Sequence, residues 1–158
     1  MSVEKLNAYL ADLVVEYFKL HDLHWNFKGK FLVEIYNYTE TCYDDIALKL
    51  DEVGEKIVMY GATPISGMAQ YLEMATIKEL DKGNYSNIEL LKEILADISY
   101  LKEKAQKLKS FYDGEGIFSI VVMLENHIAT YEKEEWFLNS MVALNDFINC
   151  IIRIAKNI

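Results

Sequence analysis

Proline is nearly absent from this chain: Pro64 is the only one in 158 residues, beside seven glycines. Both residue types interrupt regular helices, so their scarcity argues against a strand-rich fold with many tight turns and favours long helices. Cysteine is equally sparse. Cys42 and Cys150 cannot by themselves build a disulfide framework or a thiolate metal site, and they read as two reduced thiols of a cytoplasmic protein. Positive charge is also short: 16 Lys and Arg face 25 Asp and Glu, for a net charge of −9. That balance excludes a general nucleic-acid surface and suits cationic partners, metal ions among them, although solubility alone also favours it. No apolar run approaches the ~18 residues of a membrane helix, and the N-terminal "MSVEKLNAYLADL" lacks the unbroken apolar stretch of a signal peptide.

What is present is apolar. Hydrophobic residues make up 52% of the chain and aromatic residues 13%, which excludes disorder and predicts one domain over 1–158. The apolar positions recur at helical spacing. Helices are expected at 3–26, 33–60, 66–75, 87–111 and 118–143, with a helical tail open to 158. In the first, Leu6, Leu10, Leu13, Tyr17, Leu20 and His24 form one stripe, while Ala11, Val15 and Phe18 lie opposite and Lys5, Asp12, Glu16 and Lys19 share a narrow arc. A helix apolar nearly all round is covered on more than one side, and a four-helix bundle covers only one, so the surplus points to a subunit contact. In the second, Ile35, Cys42, Ile46, Leu50, Val53, Ile57 and Tyr60 form the core stripe, and Gly61 ends it. Gly29 is the expected stop of the first helix, and Ser86 or Asn87 the cap of the long helix from 87. The span from Gly61 to Asn87 is too long for a hairpin and can cross the bundle. The fold class is all-α: a four-helix bundle with a long crossover carrying a short extra helix.

The acids of the second helix are the first chemical signal. At about 100° per residue, Tyr36, Glu40, Asp44, Asp51 and Glu55 share one side, some 140° from the core stripe. Any solvated helix face presents such a stripe. Asp51 and Glu55, however, are one turn apart, a spacing that serves one hard cation. One imidazole added to two carboxylates gives a mixed N/O set suited to Fe(II). His24 is on the first helix and the acids face outward, so the set closes most easily between two subunits. No Glu-x-x-His occurs, which disfavours a di-iron centre inside one bundle. His21 and His24, three residues apart, can also pinch zinc, which makes zinc a competitor.

These residues have a family likeness. "KLHDLHWNFKG", "DEVGEKI" and "YEKEEWFLNSMV" closely resemble the DNA-protection-during-starvation (Dps) mini-ferritins, most of all their neutrophil-activating-protein branch, and the resemblance runs to about Ala143. The His-Trp-Asn motif and the interval of 27 residues from His24 to Asp51 match without a gap. The resemblance implies a ferritin-like dodecamer, a hollow shell with ferroxidase centres at its two-fold interfaces. It places one iron ligand on His24, two more on Asp51 and Glu55 of the partner subunit, and an acidic residue of the second iron position on Glu40. The family's second histidine falls twelve residues after His24, where this chain carries Tyr36. His21 and Trp25 match residues close to the centre.

The implied activity is oxidation of Fe(II), in this family preferentially by hydrogen peroxide, followed by storage of Fe(III). Asp113 and Glu115 are candidates for the pores. Direct DNA binding is not expected, because no Lys/Arg-rich tail precedes the first helix and the C-terminal end offers only Arg153 and Lys156. Two other readings stand beside the ferroxidase: a noncatalytic metal-binding shell in which Tyr36 impairs the second site, and a metal-free helical interaction protein.

Overall fold

The computed structural model of the chain describes residues 2–81, 83 and 85–156; at 145, 146, 148–151 and 153–156 it describes the backbone alone. The elements are α1 (Val3–Asn26), α2 (Leu32–Met59), α3 (Met68–Met74), α4 (Asn87–Gly114) and α5 (Phe118–Lys156). Among the described residues no strand forms, and no helix is long and apolar enough to cross a membrane.

The two long hairpins, α1 with α2 and α4 with α5, pack side by side through α1 against α4 and α2 against α5. Helix α1 stops where Phe27 turns extended, and its N–H still bonds Leu23 O at 3.0 Å. Gly29 has a tertiary role rather than the role of a stop. A Cβ there would meet Asn87 Oδ1 at 2.0 Å, and Asn87 uses that approach to donate from Nδ2 to Lys30 O at 2.5 Å. The start of α4 is thereby tied to the start of α2. Ser86 caps α4 with a reciprocal bond: its hydroxyl accepts from Glu89 N–H, and Glu89 Oε2 accepts from Ser86 N–H at 3.0 Å. Gly61, at φ +74°, turns the chain out of α2.

The crossover then climbs along α1. Asn7 Oδ1 accepts from Ile65 N–H at 3.1 Å, and further up Asp12 Oδ1 accepts from Thr76 and Ile77 N–H at 2.6 and 3.0 Å. The Asn7–Ala11–Val15 stripe therefore faces the crossover. This narrows the expectation for α1: Ala11 and Val15 are already buried within one chain, and of the three residues on that side only Phe18 stays half-exposed. The polar arc is buried too. Asp12 and Glu16 are fully covered, and Lys19 is held by Asp97 at 2.6 Å and Glu93 at 3.1 Å on α4.

The core stripes otherwise lie where the periodicity put them. Ile35, Cys42, Ile46, Val53 and Ile57 are buried on α2, and Leu91, Ile94, Ile98, Leu101 and Leu108 on α4. Each such aliphatic side chain contributes roughly 1.5–3 kcal/mol of transfer free energy. Tyr60 is an exception: it is exposed, because its phenol reaches out to Ser119 Oγ at 2.8 Å across the end of the bundle. Helix α5 continues without a break past Met141 to Lys156, where Phe147 is exposed and Ile152 lines an end cavity of about 410 Å³. The side chains of Ile148, Cys150, Ile151, Arg153, Ile154 and Lys156 lie outside the described residues.

Candidate metal centre

His24 sits in the last turn of α1, buried at 5% exposure, where it meets the first turns of α2. Its Nδ1 lies 2.8 Å from Thr39 Oγ1. The Thr39 hydroxyl lies 2.9 Å from Ile35 O and 2.9 Å from Tyr36 O, and carbonyls only accept. The single hydroxyl proton therefore goes to a carbonyl, and Thr39 accepts from His24 Nδ1–H. That fixes the tautomer and leaves the lone pair on Nε2, the state a metal ligand needs. Burial lowers the His24 pKa below its usual 6.5, against the opposing pull of Glu40, so the ring is neutral at pH 7.

Aromatic rings fill the surroundings. The Tyr36 ring lies against His24 with centroids 3.7 Å apart, and His21 stacks on Tyr43 at 4.0 Å with Trp25 edge-on at 5.1 Å. His21 Nδ1 donates to Tyr17 O at 2.9 Å, which anchors that ring to its own helix. Trp25 itself is 70% exposed.

The carboxylates stand elsewhere. Tyr36, Glu40, Asp44, Asp51 and Glu55 are all exposed on one side of α2, opposite its buried stripe. Glu40 comes one turn after Tyr36. Asp51 is 15 residues beyond Tyr36, about 22 Å along the helix at 1.5 Å per residue. Asp51 and Glu55 border a groove of about 510 Å³ between α2 and the crossover, with an apolar lining that includes Leu10, Val58, Met59 and Ile65. Among the described residues of one chain, no three His, Cys, Asp or Glu side chains converge closely enough to hold a metal. The fold thus joins His24 with Tyr36 and Glu40, and separates that group from Asp51 and Glu55.

Sequence reasoning did not find Thr39. Its signal was a small hydroxyl residue on the inward side of α2, one turn after Ile35, where an aliphatic residue is the default.

A ferritin-like domain model matches residues 3–147. The chain belongs to the ferritin-like family. Within it the chain is similar to Dps-type members. The chain is 29% identical over 140 residues to the DNA protection during starvation protein of Helicobacter pylori strain J99, which covers 89% of this chain and 97% of that one. The crystal structure of a Dps protein from Bacillus brevis superposes with TM-score 0.85 at 28% identity, covering 90% and 98% of the two chains. The Dps protein from Vibrio cholerae O1, described as a member of a broad superfamily of ferritin-like diiron-carboxylate proteins, gives TM-score 0.84 at 28% identity over 87% and 86%. This Dps-type mini-ferritin therefore sits in a family whose general frame is iron binding and stress protection, and its four-helix bundle with a helical crossover is the family fold.

Proposed function

We propose that this chain oxidises Fe(II) at centres shared between two subunits of a hollow cytoplasmic shell and stores the Fe(III) product inside. The observation that carries the reading is the separation along α2. His24 presents a neutral imidazole at one end of the α1–α2 pair, against Tyr36, and the two acids spaced for one cation begin about 22 Å beyond Tyr36 along α2. Two chains antiparallel across a two-fold axis bring His24 of one subunit to Asp51 and Glu55 of the other. The groove beside those acids is apolar enough to take an aromatic anchor, and Trp25, next to His24 in the chain, is the more exposed of the two rings beside it.

Fe(II) is the substrate. A neutral imidazole and two carboxylates match its borderline softness, and the anionic oxygens favour the more highly charged Fe(III). Zinc competes for the same donors. With hydrogen peroxide as oxidant, two Fe(II) each give one electron, the O–O bond breaks, and two protons are taken up to form two waters. Consuming both reactants together removes the ingredients of hydroxyl radical. Glu40 and Tyr36 mark the second iron position. A phenol titrates near 10 in water, so Tyr36 is a poorer donor than an imidazole, and Glu40 is the stronger ligand there. A dodecamer would carry a formal charge of about −108 from twelve chains of −9, which draws cations inward. Asp113 and Glu115, both exposed at the α4–α5 turn, are the acids we assign to entry pores.

The deciding experiment loads Fe(II) anaerobically, adds peroxide and follows near-ultraviolet absorbance. Fast growth in wild type that is lost in both His24→Ala and Asp51→Ala supports the shared centre. Equal rates in all three leave only surface chemistry. Tyr36 favours a second reading, a shell that binds one metal per centre without turnover. Under it the wild type is inactive, and Tyr36→His restores both oxidation and a second bound Fe(II). Direct DNA binding is not part of the proposal; a gel shift surviving about 150 mM salt would require revising that.

A further inference from the structure

A second histidine, remote from His24 in sequence, anchors a buried chain of phenols. His127 on α5 is 2% exposed, and its two nitrogens have different partners. Nε2 lies 3.1 Å from Glu52 Oε2 on α2, and Nδ1 lies 3.1 Å from Tyr9 Oη on α1. Tyr9 Oη in turn lies 2.9 Å from Tyr131 Oη, one turn after His127 on α5. Tyr9 and Tyr131 are both fully buried, whereas the Glu52 side chain is 44% exposed.

The direction of every link follows from donor chemistry. An ionised carboxylate only accepts, so Nε2 carries the hydrogen. Burial holds the ring neutral, with its pKa pushed down to about 4, so Nδ1 has a lone pair and also only accepts. Tyr9 must therefore donate to His127, and its oxygen is left to accept from Tyr131. Hydrogen bonds run one way, Tyr131 to Tyr9 to His127 to Glu52, from the middle of the bundle to its surface.

Satisfying two buried hydroxyls needs only two nearby carbonyls. A one-way chain with an imidazole lone pair against a phenol also does something chemical. A phenol that loses an electron becomes a strong acid, and oxidation proceeds readily only where the proton can leave at the same time. The electron can pass through packed side chains. The proton needs a base within hydrogen-bond reach, and His127 is that base.

We propose that Tyr9 is a redox-active tyrosine, giving one electron to a strong one-electron oxidant of the hydroxyl-radical class while its O–H proton passes to His127 Nδ1. The phenol O–H bond breaks and a neutral phenoxyl forms. The hydroxyl radical takes the electron to become hydroxide and gains a solvent proton to become water. The imidazolium is stabilised by the Glu52 carboxylate, and the phenoxyl by the Tyr131 hydroxyl. The bundle core would thus hold an oxidising equivalent that peroxide chemistry lets escape. Only the source of the oxidant rests on the proposed ferroxidase function; the redox property of Tyr9 does not.

The test therefore uses iron-free, fully assembled protein and flash-generated ruthenium(III) tris-bipyridine as an outer-sphere oxidant, with freeze-quench electron paramagnetic resonance. A long-lived neutral tyrosyl signal is expected in wild type and is lost in Tyr9→Phe and in His127→Gln. In Tyr131→Phe the signal persists, but its high-field gx value rises because the phenoxyl has lost a hydrogen bond. Circular dichroism and size measurements check each variant's fold, and the gx shift tests the idea even if Tyr9→Phe does not fold. A signal undiminished in folded Tyr9→Phe, or a gx unmoved in Tyr131→Phe, overturns the proposal. Either result would leave the iron chemistry at His24 untouched.

Discussion

Asp12→Ala is expected to release the crossover from the bundle. Asp12 is fully buried on α1 and satisfies four donors at once. Oδ1 accepts from Thr76 and Ile77 N–H at 2.6 and 3.0 Å, and Oδ2 accepts from Tyr100 O–H at 2.9 Å and from the Lys104 ammonium. Removing the carboxylate strands two backbone amides, a phenol and a cation. Deleting one partner of a buried pair costs about 3–5 kcal/mol. Lys104 keeps a second acceptor, Ala8 O at 2.8 Å, and its side chain is 18% exposed, so it can turn toward water. The lower half of that range, about 3–4 kcal/mol, is therefore the expected loss, a large share of a typical total of roughly 5–15 kcal/mol. Urea unfolding at one fixed protomer concentration measures it, since an assembled protein's stability depends on concentration. Limited proteolysis should show faster cleavage in the 61–86 segment. Lys104→Met alone should cost less, and the double variant should be less damaged than the two single losses added, because the stranded charge is gone. A loss under about 1 kcal/mol, well below the cost of a broken buried pair, with unchanged cleavage would refute the latch.

Three further outcomes follow from other buried groups. His127 is held near 4 by burial against 6.5 unfolded. Its depressed pKa means that the unfolded chain takes up the proton first as pH falls; the contribution is complete above 6.5 and is lost toward 4. The loss amounts to about 2 kcal/mol at pH 5, so urea stability should fall between pH 7 and 5 by about that much more in wild type than in His127→Gln. Glu16 carries the opposite sign. Burial, then Asp97, raises its pKa well above the usual value, and as a carboxylate neither of its oxygens has a donor among the described residues. It is stable protonated, with its O–H donating a hydrogen bond to Asp97, and its contribution is lost as pH rises above the unfolded value through the folded one. Glu16→Gln should therefore gain stability relative to wild type at pH 8 compared with pH 5, and an identical pH dependence would contradict this. Thr39→Val keeps shape but removes the acceptor that fixes the His24 tautomer, so anaerobic Fe(II) titration should show affinity about 10–100-fold weaker with helicity unchanged.

The shared placement of Thr39, Tyr36 and His24 also bears on how the proposed centre is prepared. The imidazole is neutral, its tautomer is set and its ring is packed before any metal arrives. Binding would then cost little reorganisation, and most of the remaining ordering would fall on the exposed carboxylates of the second subunit.

Local rules decided a good deal of this protein. Helical spacing of Leu, Ile and Val located the long helices and their inner stripes, because burying one face of a 3.6-residue repeat is the strongest constraint on such a chain. The same wheel put Tyr36, Glu40, Asp44, Asp51 and Glu55 on the outer side of α2, where they stand exposed. What spacing could not decide is what packs on each face. Asp12 looked like one of a few polar residues on α1, yet the returning crossover and α4, with two donors each, make it a buried acceptor of four bonds. Ala11 and Val15 looked like subunit surface until the same segment covered them. His127, Tyr9, Tyr131 and Glu52 lie on three different helices and meet only when the bundle closes, since hydrogen bonds between residues 75 to 122 positions apart leave no local trace in sequence. Periodicity reports the free energy of one helix against an average interior; a particular pairing of donors and acceptors exists only once specific helices face each other.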